Sequence, residues 1–393
     1  MWRVVAAVAL LAACHGHRAR RHDAGPAPAS AVSEVPKLPK SPEGTAELQR
    51  LASELELAKD PVTAMPLAFA LATIRGRLED YEDVLARSQA WLTARPGDPE
   101  ALNMRVKALA AVHRFADARA LLDKLPPDMR EEQEMSIDDA TGHFDRSGPA
   151  RAQRAAANPS TVNLVGYAGS LAIQGRTADA LAVMHKAAAG IADNAPELFA
   201  WMLFQWGRIY ELDGKLATAR EFYAEAHKRL PGYLEATAHL AQAMIATGDT
   251  AGAKTLVEGE LAHDRHPALL ALAVQLGHPE LLDETKREWE RYVAALPEAF
   301  SDHAARFYLT VDPARALVLA QANLANRDTP EARSLVAEAA LAAGDAKTAC
   351  DAADPLVSEP APRAQKFVAW RALSKCGRTA EAERLARDLG ITQ

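Results

Sequence analysis

Large and small residues recur along this chain at the spacing of paired helices. In the clearest stretch the fixed positions hold Leu203, Trp206, Gly207, Tyr210, Gly214, Ala219, Tyr223, Ala226 and Pro231. The apolar positions lie three or four residues apart, which is the period of one face of a helix. Gly214 predicts the end of the first helix, since glycine adopts a left-handed cap at little cost. Pro231 predicts the end of the second helix, because proline cannot continue one.

The same pattern returns along most of the chain. Gly214 recurs as Gly248 (248 − 214 = 34), and the small residue five positions later recurs with it. Glycine turns followed by a helical alanine at the same distance also occur at Gly175, Gly344 and Gly377. A fixed period of this kind indicates a repeat architecture. We count nine to ten helix pairs between 45 and 391.

Departures from the period predict local irregularities. The turns at 175 and 214 are 39 residues apart, which predicts extra residues near 190–196. The turns at 248 and 277 are only 29 apart, which predicts a trimmed unit. Residues 132–157 have room for one degenerate pair. Asp312 and Pro313 predict the start of a second helix, with a short first helix before it.

These positions resemble the tetratricopeptide repeat, most strongly between 200 and 260. The resemblance implies an all-α fold, a right-handed superhelical solenoid of antiparallel helix pairs with a concave groove. The first helix of each pair would line that groove and bind a peptide or a partner helix. An unrelated alanine-rich helical bundle is the alternative fold.

By the same resemblance, the groove-facing residues of the clearest repeat are Trp201, Phe204, Arg208 and Glu211. An aromatic residue with an arginine nearby is a combination enriched in interface hot spots. We therefore expect these four residues to contact a partner. The alternative is that Trp201 and Phe204 pack between units as core residues. Neighbouring units offer further groove positions at Asn103, Lys107, Glu235, Ala238 and Gln242.

The N-terminus has the pattern of a secretory leader. Residues 4–13 form an unbroken apolar run of ten, too short to span a bilayer permanently. The run closes on Leu-Ala-Ala-Cys at 11–14, which resembles the lipobox of bacterial lipoproteins. The resemblance implies that residues 1–13 are removed and that Cys14 is lipidated. His15, rather than an aspartate, points by the same resemblance to the outer membrane. The alternative is an ordinary secretory signal that is cut elsewhere.

Residues 14–43 are predicted to be a tether, and the array is predicted to span 44–391. The tether contains five prolines, at 26, 28, 36, 39 and 42, which keep a chain extended and unpacked. Its first part, 15–22, is basic and holds three histidines. A solvated tether without a specific partner is the plainest interpretation of this part. Attraction to anionic lipid headgroups and weak metal binding by the histidines are the alternatives.

Two cysteines remain once Cys14 is lipidated. Cys350 lies one turn into a second helix, and Cys376 ends the following first helix. In the repeat geometry these two helix ends lie side by side, and an even pair in an exported protein predicts a disulfide. The bond would close a loop of 26 residues (376 − 350 = 26) and stabilise the fold by ~3 kcal/mol. Its loss should soften the C-terminal end most, if repeats contact only their neighbours. Two buried free thiols are the alternative.

Composition and motifs argue against several function classes. The net charge is −7, whereas a nucleic-acid binder should carry a basic stripe. The chain has no His-Glu-x-x-His, no Gly-x-Ser-x-Gly and no phosphate-binding loop, so we predict no catalytic residue and no cofactor. His263 and His266 are interpreted as a solvated turn rather than a metal site. Asp138, Asp139 and Asp145 are interpreted as surface charge.

These observations predict a non-catalytic, lipid-anchored scaffold of the bacterial cell envelope. Its partner would be another exported or membrane protein, or a peptide, held in the concave groove. One alternative is a structural spacer that holds a cargo off the membrane. The other is a helical-repeat cell-wall enzyme or enzyme subunit, for which Glu288 and Glu298 are the carboxylates at hand.

Lipid attachment can be tested at Cys14. Replacing this cysteine (Cys14→Ser) removes the only thiol that the lipobox offers for alkylation, so the protein should accumulate as an unlipidated precursor. Metabolic labelling with a tagged acyl chain checks this result. Label that is still incorporated by the Cys14→Ser protein would show that the lipoprotein interpretation is wrong.

Overall fold

The structure is a computed structural model that describes residues 35–36, 44–191 and 195–391. The predicted leader, Cys14 and the tether apart from 35–36 lie outside the described residues. Within the described ranges the regular structure is entirely helical, with 21 α-helices and one short 3-10 turn at Pro279–Leu281. None of these helices is long and apolar enough to cross a membrane. The predicted all-α solenoid of helix pairs is confirmed.

A single helix, α1 (Gly44–Leu57), precedes ten helix pairs, which we number as units 1 to 10. Each unit has a helix A followed by a helix B. Units 1 to 5 are α2 (Pro61–Arg75) with α3 (Leu78–Ala94), α4 (Pro99–Ala111) with α5 (Phe115–Leu122), α6 (Pro127–Ala140) with α7 (Phe144–Ala157), α8 (Thr161–Ile173) with α9 (Thr177–Ala189), and α10 (Pro196–Leu212) with α11 (Leu216–Arg229). Units 6 to 10 are α12 (Leu234–Ala246) with α13 (Thr250–Leu261), α14 (Pro267–Gln275) with α15 (Leu282–Ala295), α16 (Pro297–Val311) with α17 (Pro313–Asn326), α18 (Pro330–Ala343) with α19 (Ala346–Ser358), and α20 (Arg363–Lys375) with α21 (Thr379–Asp388).

Local sequence explains where most helices begin and end. Helices A commonly start on proline, whose missing N–H is not needed in the first turn. Short polar side chains cap several of them; Thr329, for example, accepts a hydrogen bond from the backbone N–H of Ala332. The turn between the two helices of unit 5 passes through Gly214 with a φ of 78°, as predicted.

The irregular units differ in part from expectation. Residues 132–157 fall in a complete pair, α6 with α7. The trimmed unit is real, since α14 has only nine residues. The long unit places its extra residues between α9 and α10 and in α10 itself, which has 17 residues. The prediction of a short helix before Asp312 is wrong. Helix α16 has 15 residues, because Pro297 begins it directly after the end of α15.

Successive turns of the superhelix touch each other at a constant register. At several helix starts and turns, a Cβ added to a glycine would meet the backbone of a residue far along the chain. The pairs are Gly44 with Leu230, Gly142 with Asp328, and Gly175 with Ala361. The partners are 186 positions apart in every pair (328 − 142 = 186). At Gly142 and Gly175, the turn between helices A and B of one unit therefore meets the start of helix A six units later.

Two histidines make hydrogen bonds between other units that are also six apart. The Nδ1 of His113, in the turn of unit 2, lies 3.0 Å from the carbonyl oxygen of Glu298, at the start of unit 8. The Nε2 of His266, at the start of unit 7, lies 3.1 Å from the carbonyl oxygen of Gly76, in the turn of unit 1. We call the contact between the turns of units 1–4 and the helix starts of units 7–10 the seam. The second superhelical turn therefore packs directly on the first.

The hydrophobic core crosses the seam. One cluster of buried residues joins Met65, Tyr81 and Trp91 of unit 1 to Trp289 of unit 7 and Phe300 of unit 8. The rings of Tyr81 and Phe300 meet edge to face, with their centroids 6.0 Å apart. Residues more than 200 positions apart thus share one core, so this solenoid is not stabilised by neighbouring units alone.

The last two units are joined covalently. Cys350 on α19 and Cys376 at the end of α20 form a disulfide, with their Cα atoms 6.5 Å apart. The bond connects helix B of unit 9 to the following helix A, as the sequence predicted. It lies beside a small core cluster that includes Leu356, Leu373 and Leu385.

The seam can be tested with two glycines that share a backbone conformation. Gly175 and Gly344 have φ values of 74° and 80°, so alanine costs about 1 kcal/mol or more at either position. At Gly175 the new Cβ would also lie 2.5 Å from the carbonyl oxygen of Ala361, whereas Gly344 has nothing within 4 Å. Gly175→Ala should therefore lose about 1–3 kcal/mol more of unfolding free energy than Gly344→Ala, measured by chemical denaturation. Equal losses would contradict the seam.

Candidate partner-binding site

The four residues predicted to line a groove are buried inside the array. The exposed fraction of the residue is 8% for Trp201, 2% for Phe204, 3% for Arg208 and 8% for Glu211. Fifteen of the seventeen residues of their helix, α10, are buried. Phe204 packs against the rings of Tyr223, Tyr233 and His239 at centroid distances of 5.2 to 5.7 Å. Helix α10 is thus the central helix of the interior.

The guanidinium of Arg208 is bound from across the superhelix. It forms an ion pair with Glu331, at the start of α18 in unit 9, and a second one with Glu211 at 3.3 Å. All three side chains are buried. Breaking such a buried pair by removing one partner costs about 3–5 kcal/mol, because the other charge is left unpaired. Arg208 therefore holds two distant units together.

Glu211 extends this arrangement into a network. Its carboxylate accepts hydrogen bonds from the Tyr223 hydroxyl and, at 2.8 Å, from the Nδ1 of His239. Burial alone would raise the pKa of Glu211. The nearby charges of His239 and Arg208, together with these hydrogen bonds, outweigh that effect and hold the pKa well below its usual range. The carboxylate is therefore ionised and is fully engaged in structural contacts.

The expectation that these four residues form an accessible binding surface is wrong. Helix α20 of the second superhelical turn packs against α10, and Glu331 at the start of α18 reaches Arg208 on it. A cavity beside Arg208, Glu331 and Asp139 has a volume of only about 40 Å³, which is room for a water or two and not for a peptide. The alternative, that Trp201 and Phe204 pack between units, describes their place in the structure.

Other polar residues also turn out to be interior. Asp138 pairs with Arg119 and Arg146, and the carboxylate of Asp139 pairs with Arg151. Both aspartates are buried, so the surface interpretation is wrong for them, although Asp145 is exposed. Their arginine partners lie on α5 and α7. The repeat pattern is degenerate in this region, so the sequence did not indicate these pairs.

The predicted solvated turn at 263–266 is buried at one of its two histidines. His266 is 4% exposed, and its Nδ1 accepts the backbone N–H of Ala268 at the start of α14. His263 is exposed, as expected.

Glu288 pairs with Arg291 on its own helix, and the backbone of Glu298 accepts the hydrogen bond from His113. Throughout the described ranges, no three histidine, cysteine or acidic residues are placed to share a metal ion.

The last unit presents the groove positions in accessible form. Phe204 and Arg208 lie ten and six residues before Gly214, and Phe367 and Arg371 lie ten and six residues before Gly377. Because no further superhelical turn covers unit 10 among the described residues, Phe367 is half-buried and Arg371 is exposed. The ring of Trp370, also half-buried, lies 5.2 Å from that of Phe367. We call Phe367, Trp370 and Arg371 the open-end patch.

A larger cavity lies at the same end of the array. Its volume is about 450 Å³, compared with about 40 Å³ for the interior cavity. The lining residues come from the turns of units 4 and 5 and from α19, α20 and α21: Gly175, Asp213, Val357, Ala361, Arg363, Lys366, Arg384, Leu385, Asp388 and Leu389. The open end therefore combines aromatic, aliphatic and basic side chains, which the sequence alone did not indicate.

The seam histidines make stability depend on pH. Burial lowers the pKa of His113 to about 3, assisted by Arg327 and His303 and opposed by Asp302. Burial lowers the pKa of His266 to about 4. The folded protein thus keeps both rings neutral while an unfolded chain takes up protons below its ordinary pKa of 6.5. Their contribution is complete above pH 6.5 and is lost as the pH falls towards 3–4.

Replacing His113 with asparagine should flatten this dependence. Asparagine tolerates the φ of 56° at this position and can still donate to the Glu298 carbonyl, but it does not titrate. Between pH 6 and pH 4 the unfolding free energy of His113→Asn should fall less steeply than that of the wild type, by about 1 kcal/mol per pH unit. Urea denaturation at a series of pH values measures this slope. The exposed His263→Asn serves as the control and should keep the wild-type slope.

A match to a protein-family model agrees with the repeat pattern. Residues 212–276 match the tetratricopeptide repeat family. No curated protein matches the sequence. Among solved structures, the chain is similar to a crystal structure of the APC/C hetero-tetramer Cut9-Hcn1, with a TM-score of 0.47 and 13% identity over 90% of this chain and 61% of that one.

Two further structures are similar at a comparable level. One is a human IFIT1 dimer with PPP-AAAA, with a TM-score of 0.41 and 14% identity over 80% of this chain and 87% of that one. The other is a tetratricopeptide repeat protein from Parabacteroides merdae, with a TM-score of 0.38 and 16% identity over 62% of this chain and 96% of that one. The chain spans less than two thirds of the Cut9-Hcn1 chain that it matches. The stretch that matches the tetratricopeptide repeat family includes α12 and α13, and it lies within a longer array of helix pairs.

Proposed function

We propose that this protein is a lipid-anchored, non-catalytic scaffold of the bacterial cell envelope that binds another exported or membrane protein. The observation that carries the proposal is the repeat architecture, with its tetratricopeptide segment at 212–276. Arrays of this kind present extended surfaces to protein partners. The buried polar groups of the interior that we traced serve structural contacts, which leaves recognition to accessible surfaces.

The envelope location is supported by the N-terminal sequence. The Leu-Ala-Ala-Cys motif at 11–14 supplies the anchor, and the proline-rich stretch up to 43 supplies the spacing from the membrane. The disulfide between Cys350 and Cys376 is consistent with an oxidising compartment. By the sorting resemblance at His15, the outer membrane is the proposed site of insertion.

Partner binding is assigned to the open-end patch. Phe367, Trp370 and Arg371 occupy the helix-A face that a tetratricopeptide array uses for binding, and in unit 10 that face is reachable. Aromatic and arginine side chains are the residue types enriched in interface hot spots. The patch therefore replaces the buried residues of α10 as the proposed contact surface.

A purely structural spacer is the second candidate. The continuous core across the seam favours it, because a closed superhelix is a rigid body that could hold a cargo at a set distance. A spacer needs no partner at the open-end patch, which makes that patch the place to distinguish the two functions.

Photo-crosslinking in the native envelope tests the scaffold. The photoreactive residue p-benzoylphenylalanine should give one dominant protein adduct when it replaces Trp370. It should give none when it replaces Val318, which is 56% exposed on helix B of unit 8. Adding Arg371→Glu to the Trp370 probe should lower the adduct yield at least fivefold, read by immunoblot. No adduct from position 370, or the same adduct from both positions, would favour the spacer.

A further inference from the structure

The seam leaves one step of the superhelix unfilled, meaning one turn between helices A and B that no later helix start covers. The turns at Gly76, His113, Gly142 and Gly175 are each covered by the start of a helix A from the next superhelical turn. The next turn in this order passes through Gly214, and a Cβ added there would meet nothing within 4 Å. The turn of unit 5 is therefore not covered by the start of a later helix among the described residues, unlike the turns of units 1–4.

The cavity of about 450 Å³ lies at this step. We call it the notch and define it by Asp213, Lys366, Arg384, Leu385 and Leu389. Asp213 is in the turn of unit 5, Lys366 in the first turn of α20, and the other three on α21 and at its end. A helix A in the second superhelical turn contacts the turn of a unit six earlier and the unit that directly precedes it. The notch offers both contacts, through the turn of unit 5 and through unit 10.

The charge of the notch is mainly positive. Neither Lys366 nor Arg384 has an ion pair within the part of the chain that the structure describes, and Arg363 donates to the carbonyl oxygen of Leu389. Asp213 is already paired with Lys215, at 3.0 Å. Asp388 is the remaining carboxylate of the lining. A ligand with one or more carboxylates would satisfy Lys366 and Arg384.

The chain itself shows what fills such a step. Helices α16 and α18 cover the turns of units 2 and 3, and both begin with proline followed by glutamate, at 298 and 331 respectively. In α18 the glutamate of this first turn takes the ion pair from Arg208. A carboxylate in the first turn also interacts favourably with the positive end of the helix dipole.

We propose that the notch binds the N-terminal end of an amphipathic helix supplied by a partner protein. The first turn of that helix carries carboxylates, which pair with Lys366 and Arg384. Its apolar side packs beside Val357, a half-buried aliphatic side chain of the cavity lining. The inference rests on the proposed scaffold function and specifies the kind of segment that the scaffold binds.

A peptide copied from the chain's own α18 is the probe. It comprises residues 329–344, with blocked ends and a fluorescent label, and it contains the Pro-Glu start and an apolar face. Titration with the full-length lipidated protein in detergent, followed by fluorescence anisotropy, should give saturable binding. Detergent micelles without protein give the background. A free peptide of this length is only marginally helical, so the test relies on ratios of affinity rather than on its absolute value.

Charge reversal locates the binding. Lys366→Glu combined with Arg384→Glu should weaken binding at least tenfold. Lys347→Glu, at a solvent-exposed lysine of α19, should leave binding unchanged. The Glu331→Lys version of the peptide should bind the wild type at least tenfold more weakly and recover on the Lys366→Glu, Arg384→Glu protein. Circular dichroism and thermal melting verify that the protein variants remain folded.

Three results would overturn the inference: no saturable binding, binding that is insensitive to the reversed notch charges, or no recovery with the charge-reversed peptide. Failure of this inference can be distinguished from failure of the proposed scaffold function. If the adduct from position 370 persists in the notch variant, the protein has a partner that does not use the notch. If no adduct forms at all while the peptide binds as expected, the notch accepts helices but the native partner is not established.

Discussion

The direct packing of one superhelical turn on the next is the constraint on which the rest of this structure depends. It is set by backbone geometry, because the turns of units 3 and 4 pass through glycines whose missing Cβ leaves room for a backbone carbonyl. The register of 186 residues follows from six units of uneven length closing one turn. Once this contact forms, helix α20 packs against α10, and the cavity beside Arg208 is reduced to about 40 Å³.

The interior therefore carries charges that are structural. In an open array, charged residues such as Arg208, Glu211 and Glu331 would be available to bind a partner. In this closed array they form a buried network of ion pairs. Taking them out of water is expensive, so the ion pairs between them are what makes their burial possible. The same reasoning separates unit 10 from unit 5. Equivalent positions are buried in unit 5 and accessible in unit 10, because residues of units 9 and 10 contact helix α10.

Local patterns predicted the helices but not the seam. The period of 34 and the turn at Gly214 are short-range signals, and they correctly indicated paired helices. The contact of Gly142 with Asp328 joins residues far apart in sequence, and neither residue type announces it. Arg208 was predicted at a binding surface for this reason. An arginine beside aromatic residues is typical of a binding surface, but it also occurs in an interior where an acidic residue pairs with it. The Pro-Glu start of α18 is the signal that could have suggested its partner, because an acidic first turn needs a cation when it is buried.

The seam also changes what the disulfide between Cys350 and Cys376 does. If units contacted only their neighbours, loss of this bond would soften only the C-terminal end of the array. Here the start of unit 10 rests on the turn of unit 4, through the contact of Ala361 with Gly175. Loosening unit 10 therefore removes a backbone contact from the middle of the chain and uncovers the first superhelical turn. Stability in this protein is shared between units that are six apart as well as between neighbours, so a bond near one end constrains the fold as a whole.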